Sequence, residues 1–484
     1  MKPNMKQNMK QNNTNDCDVI LLQTNDVWMY SPSEHLGMAY LAASLRKNDL
    51  KVIIIDAALE KLNFNELYLR LNAIKTRVLG VTMTSFGYTK TTKFLEFYKE
   101  KHSDVKIVTG GHFATFAAEK IRNHTNVYDE IIKGEGEFSF VKYCKQLLQN
   151  RETISCKCKS ERITNLDSIE FPARDYLPLA LKKGAATSVL SSRGCYAICN
   201  FCSVHNFYKH NGMNWISRSI PNIIQELEYL YNCFSINEFM FVDDNFMGPG
   251  KLGTKRASEF AKRYIESNLP MKFSIDCRAS DINYETFLDL KKAGLTSVFM
   301  GIESVDNDDL KLYQKKLQSK NIENALSILK NLDIKYTLSL ILFNPFTTRK
   351  SLLNNIDFLN RIQYYPRNPI LILNIYEGTN FCMSNHIDKE GPFWDYRFTF
   401  QNNYIEDIYQ ESLSFFKETL PFERSLNVLI PNTKINSIYN KLFKLRLSSL
   451  KDLTVNINKS PPKKIINKWR QELSNLIELS KRNI

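Results

Sequence analysis

Over its first 150 residues the chain alternates short apolar runs with amphipathic stretches. The runs Asp18–Gln23, Lys51–Asp56, Val78–Met83, Val105–Thr109 and Tyr128–Ile132 predict strands. Between them Leu36–Asn48, Asn63–Ile74, Thr89–Lys101 and Thr115–Arg122 predict helices, and a last helix follows over Phe138–Gln149. Apolar strands separated by helices of this length predict a parallel, doubly wound α/β sheet over residues 17–150. Residues 1–16 are polar and read as a disordered tail, and residues 151–184, without sustained period, read as a linker. Strand-like runs then recur at Thr187–Leu190, Glu238–Val242, Lys272–Ile275, Ser297–Gly301, Lys335–Phe343 and Ile370–Ile375. Helical patterns at Pro221–Asn232, Thr254–Glu266, Tyr284–Ala293, Ile322–Asn331 and Lys350–Ile362 separate them, giving a barrel-like series of six units over 185–387. From 388 to 484 the pattern is mostly helical, clearest at Tyr404–Phe416 and Lys463–Ser480.

A chain of 484 residues, 43% of them apolar, is long enough for two or three domains with buried cores. No apolar run approaches the ~18–20 residues a membrane span needs, and MKPNMKQNMKQNNTND lacks the apolar centre of a signal peptide. A cytoplasmic location and no membrane partner are expected. The formal charge is +14, and Lys434–Ile484 carries twelve Lys/Arg against three Asp/Glu. Such a region can bind nucleic acid, an acidic leader peptide or an acidic redox partner. In a chain this rich in Lys and Asn the expectation is a solvated helical face, with no nucleic-acid partner.

Ten cysteines in a chain of this kind point to metal or redox chemistry rather than disulfides. Cys195, Cys199 and Cys202, in SSRGCYAICNFCS, follow the strand Thr187–Leu190 with C-x3-C-x2-C spacing. Three thiolates hold three irons of a [4Fe–4S] cube and leave the fourth open to a small molecule. His205, three residues further on, would complete a zinc site instead, but structural zinc uses paired ligand spacings. Cys156 and Cys158 have no second ligand pair nearby. In parallel barrels the chemistry gathers at C-terminal strand ends. Here those ends carry Asp243-Asp244-Asn245, Asp276-Cys277-Arg278, Glu303-Ser304, Asn344 and Tyr376-Glu377-Gly378. The first domain's strand ends carry Thr82-Met83-Thr84-Ser85, Gly110-Gly111-His112 and Gly134-Glu135-Gly136-Glu137. Glycines there admit a ligand close to the backbone, and hydroxyls can bond to it. Any one of these residues, taken singly, is an ordinary turn or cap residue.

The cysteine motif, with Phe201 just before its last cysteine, resembles that of the radical S-adenosylmethionine (SAM) enzymes. EHLGMAYLAASLRKNDLKVIIID, VTMTSFGY, VTGGHFAT and IIKGEGE resemble the cobalamin-binding domain at the N-terminus of many of them, and LDSIEFPARDYL the usual connector. FVDDNF, DCRAS, MGIES and YEGTN resemble further segments of the same proteins. The resemblance implies a Rossmann-like cobalamin-binding domain, a partial (β/α)6 TIM-type radical SAM barrel and a helical C-terminal region. It implies a [4Fe–4S] cluster on the three cysteines, SAM beside it, and cobalamin near Thr84, Ser85, Gly110, Gly111, Gly134 and Gly136. Asp243 would line the SAM pocket. Arg278 would pair with the methionyl carboxylate, Glu303 with ribose hydroxyls or the amino group, and Phe201 with adenine. None of the seven histidines lies in the D-x-H-x-x-G motif of mutases, so no motif histidine supplies cobalt's lower ligand. Leu342–Thr348 replaces the Gly-Pro-Gly-Glu-like run of many relatives and is similar to members acting on natural products and peptides. The implied activity is methylation of an unactivated carbon of a natural-product or peptide substrate through a 5′-deoxyadenosyl radical, with a flavodoxin- or ferredoxin-type reductant. The alternatives are cyclisation, dehydration or rearrangement without methyl transfer, and a non-catalytic iron–sulfur or cobalamin-binding protein.

Overall fold

A computed structural model describes residues 16–24, 32–149, 162–209, 214–384, 386–429 and 434–481. Cys156, Cys158 and the polar stretch before Asp16 lie outside the described residues. The N-terminal sheet is built from β1 (Val19–Gln23), β2 (Val52–Asp56), β3 (Val78–Thr82), β4 (Lys106–Gly110) and β5 (Glu130–Ile132), in the order β2-β1-β3-β4-β5. Every pairing is parallel. Parallel strands need crossovers, which explains the near-continuous burial of their apolar residues beneath helices on both faces. The order reverses at β1, and the crevice beyond the strand ends there is where such sheets bind ligands. One helix departs from its expected bounds: Thr115–Arg122 is divided into His112–Phe116 and Ala118–His124. The break falls at Ala117, which has left helical geometry and has no side chain to cap the second helix.

The barrel sheet contains β6 (Thr187–Val189). The chain then forms a small antiparallel ribbon, β7 (Ser192–Gly194) with β8 (Trp215–Ser217), around the cysteine loop. The sheet continues through β9 (Glu238–Phe241), β10 (Lys272–Arg278), β11 (Leu295–Glu303) and β12 (Lys335–Leu340), in the order β12-β11-β10-β9-β6. The expected sixth strand, Ile370–Ile375, is reduced to a single parallel bridge between Phe343 and Ile372 and an antiparallel one from Ile375 to Tyr396. The preceding segment turns tightly at Asn344–Thr347, where the Asn344 N–H donates to Thr347 Oγ1 (2.7 Å), so the two stretches diverge. β10 and β11 run further than their apolar cores suggested and carry Asp276, Cys277, Arg278 and Glu303 within the strands.

The segment between the two sheets contains a helix, Leu177–Lys182, with Pro178 in its first turn. Three long helices, Asn403–Leu429, Lys434–Asn456 and Pro462–Lys481, pack onto the barrel and share its core through Ile405, Leu442, Leu450 and Ile466. Within them Arg446 is wholly buried and donates to Glu423 (2.8 Å) and Thr419 (2.8 Å). Among the described residues no helix is long and apolar enough to cross a membrane.

Candidate functional site

The cysteine loop is held from behind by the end of β9. Asp243 is wholly buried and accepts from the Ser191 N–H (2.6 Å), the Ser192 N–H (2.9 Å) and the Ser191 hydroxyl. Asp244 accepts from the Gly194 N–H (3.0 Å). Gly194 has φ +87°, and a Cβ there would lie 2.0 Å from the Asn214 carbonyl oxygen, so the ribbon closes only around glycine. From the far side, Asn200 ties the loop to the barrel rim: its N–H donates to Tyr313 O (3.0 Å) and its carbonyl accepts from Phe381 (3.0 Å). All three motif thiols are free, with Cys199 the most buried. Burial pushes the Cys202 thiol up to about 12, and iron binding must release that proton. His205 is engaged by Asn214 at Nδ1 (3.0 Å).

Arg278 reaches the loop from the lumen face of β10. Its Nη1 donates to Cys199 Sγ (3.3 Å) and its Nη2 to the Lys315 carbonyl, while Nε is buried with no partner among the described residues. That orphan donor, beside the open face of a three-thiolate site, suits a carboxylate ligand. Glu303 is buried at φ +64° and already accepts from Lys315 Nζ (2.8 Å) and Ser339 Oγ (2.7 Å). Phe201 stands edge-on to Tyr313 (5.7 Å), with Lys315 Nζ 5.6 Å from its ring centre. Arg278, Glu303, Phe201 and the cysteines thus share one mouth, whereas Asp243 sits behind it as a brace and its carboxylate is fully taken. Lys315 was not legible from the motifs: it lies outside any strand end, on the turn after the helix Asn307–Leu312.

A second site lies beyond the N-terminal strand ends. A cavity of ≈ 290 Å³ is lined by Gly110, Gly111, Gly134 and Gly136 together with apolar residues such as Leu21, Val108, Ile132 and Phe140. Gly111 has φ +94°, and a Cβ there would meet only open space, so the backbone itself forms the edge of the cradle. Thr84 and Ser85, expected here, are not part of the lining. β3 ends at Thr82, and the next residues build the turn into the helix Tyr88–Lys101: Thr84 Oγ1 accepts from the Gly87 N–H (3.2 Å) and the Ser85 carbonyl from Tyr88 (3.3 Å). Thr82 lines the cavity instead, 3.3 Å from His35 Nε2. The His35 Nδ1 accepts from the Met38 N–H (3.1 Å), so both ring nitrogens are occupied. Burial holds His35 below its usual pKa and brings His112 down to about 4, leaving both rings neutral.

The two sites share a wall. Arg193, two residues before Cys195, lines the cavity and donates to Glu135 (2.8 Å) and Glu137 (2.5 Å) at the start of the helix Gly136–Leu148. Glu135 also accepts from Arg162 (2.5 Å), whose guanidinium covers the Tyr208 ring at 4.5 Å. His112 stacks on Phe207 at 3.8 Å across the same seam. Behind it Arg174 joins Glu34 and Glu226, and Arg218 joins Glu226.

Residues 29–143 match the B12 binding domain, and residues 189–359 match the Radical SAM superfamily. The chain therefore carries a radical SAM domain, with a B12-binding domain ahead of it. It is a cobalamin-dependent radical SAM enzyme, and its cofactors are a [4Fe–4S] cluster, SAM and cobalamin. An uncharacterized methyltransferase of Pyrococcus horikoshii is 27% identical over 68% of this chain and 73% of its own length. The anaerobic magnesium-protoporphyrin IX monomethyl ester cyclase of Rubrivivax gelatinosus is 25% identical over 61% of this chain. The chain spans only 56% of that cyclase. A solved structure of the cobalamin-dependent SAM radical enzyme OxsB, with aqua-cobalamin and SAM bound, superposes with a TM-score of 0.79. It is 16% identical and covers 96% of this chain and 75% of that one, a likeness of fold.

Proposed function

We propose that the enzyme is a C-methyltransferase acting on an unactivated carbon of a natural-product or peptide substrate. The observation that carries this reading is the shared wall: Arg193 belongs at once to the glycine-edged cavity and to the strand that leads into Cys195. Bound together, the cluster and SAM supply a hydrogen-abstracting 5′-deoxyadenosyl radical, and cobalamin supplies a methyl group. In this reading Cys195, Cys199 and Cys202 hold the cluster, and Arg278 braces the second of them through its hydrogen bond to the Cys199 sulfur. Arg278 Nε takes the SAM carboxylate, Glu303 acts through its Lys315 pair on the ribose or amino group, and Phe201 borders the adenine. Gly110, Gly111, Gly134 and Gly136 would let cobalamin approach the backbone, and the apolar residues of the cavity would line its apolar portions. The Arg193–Glu135–Glu137 contacts fix the distance between the two cofactors and exclude water from the seam. The protein named as a methyltransferase among the relatives supports this reading.

The relative named as a cyclase favours a second reading, radical cyclisation or rearrangement without methyl transfer. Anaerobic reconstitution with iron, sulfide and cobalamin, followed by CD3-labelled SAM and a reductant, separates the two. Label on retained cobalamin together with 5′-deoxyadenosine is the expected result. 5′-Deoxyadenosine without labelled cobalamin favours the second reading, and neither product overturns both.

A further inference from the structure

The concave face of the barrel sheet is not filled. Along β10 the side chains of Phe273, Ile275 and Cys277 enter the core against the helices, as do Val298, Met300 and Ile302 of β11 and Leu338 and Leu340 of β12. Alternation puts Ser274, Asp276 and Arg278, Ser297, Phe299 and Gly301, and Thr337 and Ser339 on the opposite face, toward the lumen. In a closed parallel barrel that face is packed with layers of branched apolar side chains. Here it is lined by small polar groups, and Phe299 is 44% exposed although β11 has a paired strand on each side. A large ring so exposed in an interior strand faces open space.

The register places three different groups at one level of this space. Asp276 is opposite Phe299, and Phe299 is opposite Thr337. The next level up is Arg278, Gly301 and Ser339, the level that touches Cys199 and Glu303. Two residues of strand separate them, about 6.6 Å. Among the described residues no hydrogen bond or ion pair reaches the Asp276 carboxylate. Burial first, and then the negative charges of Asp243 and Asp244, push it up to about 7. A part-buried carboxylate lacking any cation is unfavourable until one arrives.

We propose that Asp276, Phe299 and Thr337 form a substrate subsite for a protonated amine on an apolar or aromatic frame, the nitrogen on the Asp276 carboxylate and the frame on the Phe299 ring. The proposal rests on reading the mouth above as the site where the radical forms, and it gives that reading a substrate class. Thr337 adds a hydroxyl on the far side of the ring that accepts or donates to a polar group of the frame. Charge held at Asp276 and a flat face held at Phe299 together fix which carbon of the substrate faces the mouth.

The test uses the full chain, reconstituted anaerobically with its cluster, cobalamin and SAM but without reductant. Three probes share one frame and differ in charge: 2-phenylethylamine, 2-phenylethanol and phenylacetate. Ligand-detected NMR titration is expected to show the amine binding about tenfold tighter than the alcohol, and the acid weakest. Asp276→Asn should erase the preference for the amine while keeping iron content and SAM binding. Phe299→Ala should weaken the amine and the alcohol by a similar factor. Equal binding of amine and alcohol, no binding of any probe, or an amine preference that survives Asp276→Asn overturns the proposal. Adding reductant to the same samples and measuring 5′-deoxyadenosine tests the radical reading separately, so a failure of one is not mistaken for a failure of the other.

Discussion

At the seam between the two domains, Glu226 is wholly buried yet receives both Arg174 (2.8 Å) and Arg218. Burial alone would raise its pKa, but the guanidiniums of Arg218 and Arg174 outweigh it and hold the carboxyl below its usual range. In the lumen, Asp276 is less buried, has no cation among the described residues, and is pushed up instead. The same chemical group is therefore finished with on one side of the mouth and unfinished on the other. Paired charges at the seam are costly to bury but fix a geometry once complete. An unpaired one in a lumen has a valence left for a ligand. The seam belongs to the scaffold that sets cofactor spacing, and the lumen to the chemistry.

The contrast is broken most completely at the cysteines. Cys199 and Cys277 are both buried, at 6% exposure each, but Cys199 faces Arg278 in the mouth and Cys277 faces the helix core. Cys199→Ala is expected to reduce reductant-dependent 5′-deoxyadenosine to background and to lower bound iron and sulfide. Cys277→Ala should keep cluster and turnover and lose only packing, about 1 kcal/mol. Turnover by Cys199→Ala equal to that of Cys277→Ala would remove Cys199 from the ligand set.

Next in size is the seam. Glu226→Ala leaves the Arg218 guanidinium buried without its carboxylate and Arg174 with Glu34 alone, and removal of one partner from such a group costs about 3–5 kcal/mol. The thermal midpoint of the reconstituted chain should fall accordingly. A midpoint within experimental error of the native value would mean that water replaces the carboxylate and that the seam is looser than its burial indicates.

The seam and the lumen also differ in how far the sequence reveals them. Apolar runs and helical periods locate the strands because a parallel sheet buries both faces. The cysteine spacing declares itself because here the three thiols lie on one short loop. Glu303 and Arg278 stand out as charges at the ends of apolar strands. Lys315 does not: it meets Glu303 only because the helix Asn307–Leu312 turns back over the mouth. Asp243 and Asp244 look equivalent as neighbours in FVDDNF, yet one braces Ser191 and Ser192 and the other Gly194, and only coordinates tell which. The Asp276–Phe299–Thr337 layer depends on register between strands more than twenty residues apart, and the β-bulge between Phe273 and Ser274 shifts that register by one. Thr84 and Ser85 read as ligand groups because the strand before them seemed longer by one residue, and β3 stops at Thr82.

The smallest of the three contrasts has the opposite sign to that at Glu226, which makes it the sharpest check of the comparison. A carboxyl whose pKa is raised on folding, as at Asp276, binds its proton more tightly in the folded chain than in the unfolded one. Between about pH 4 and the folded value of about 7 the folded state therefore holds more protons, and this group's contribution to stability falls as pH rises. Below that window both states are protonated and the contribution is fully present. Above it both are ionised and the folded chain bears the cost of an unpaired carboxylate. Asn is close in shape and never ionises, so Asp276→Asn escapes that cost. Without lumen ligand, the variant should be more stable than the native chain at pH 8 by on the order of 2 kcal/mol, allowing for water reaching a part-exposed side chain. The gain should shrink through pH 6 and vanish near pH 4, read from thermal midpoints at the three values. A saturating amine should reverse the order at pH 8, because it stabilises only the chain that can pair with it. A variant less stable than native at every pH would show that Asp276 already has a partner, and the lumen would then be as finished as the seam.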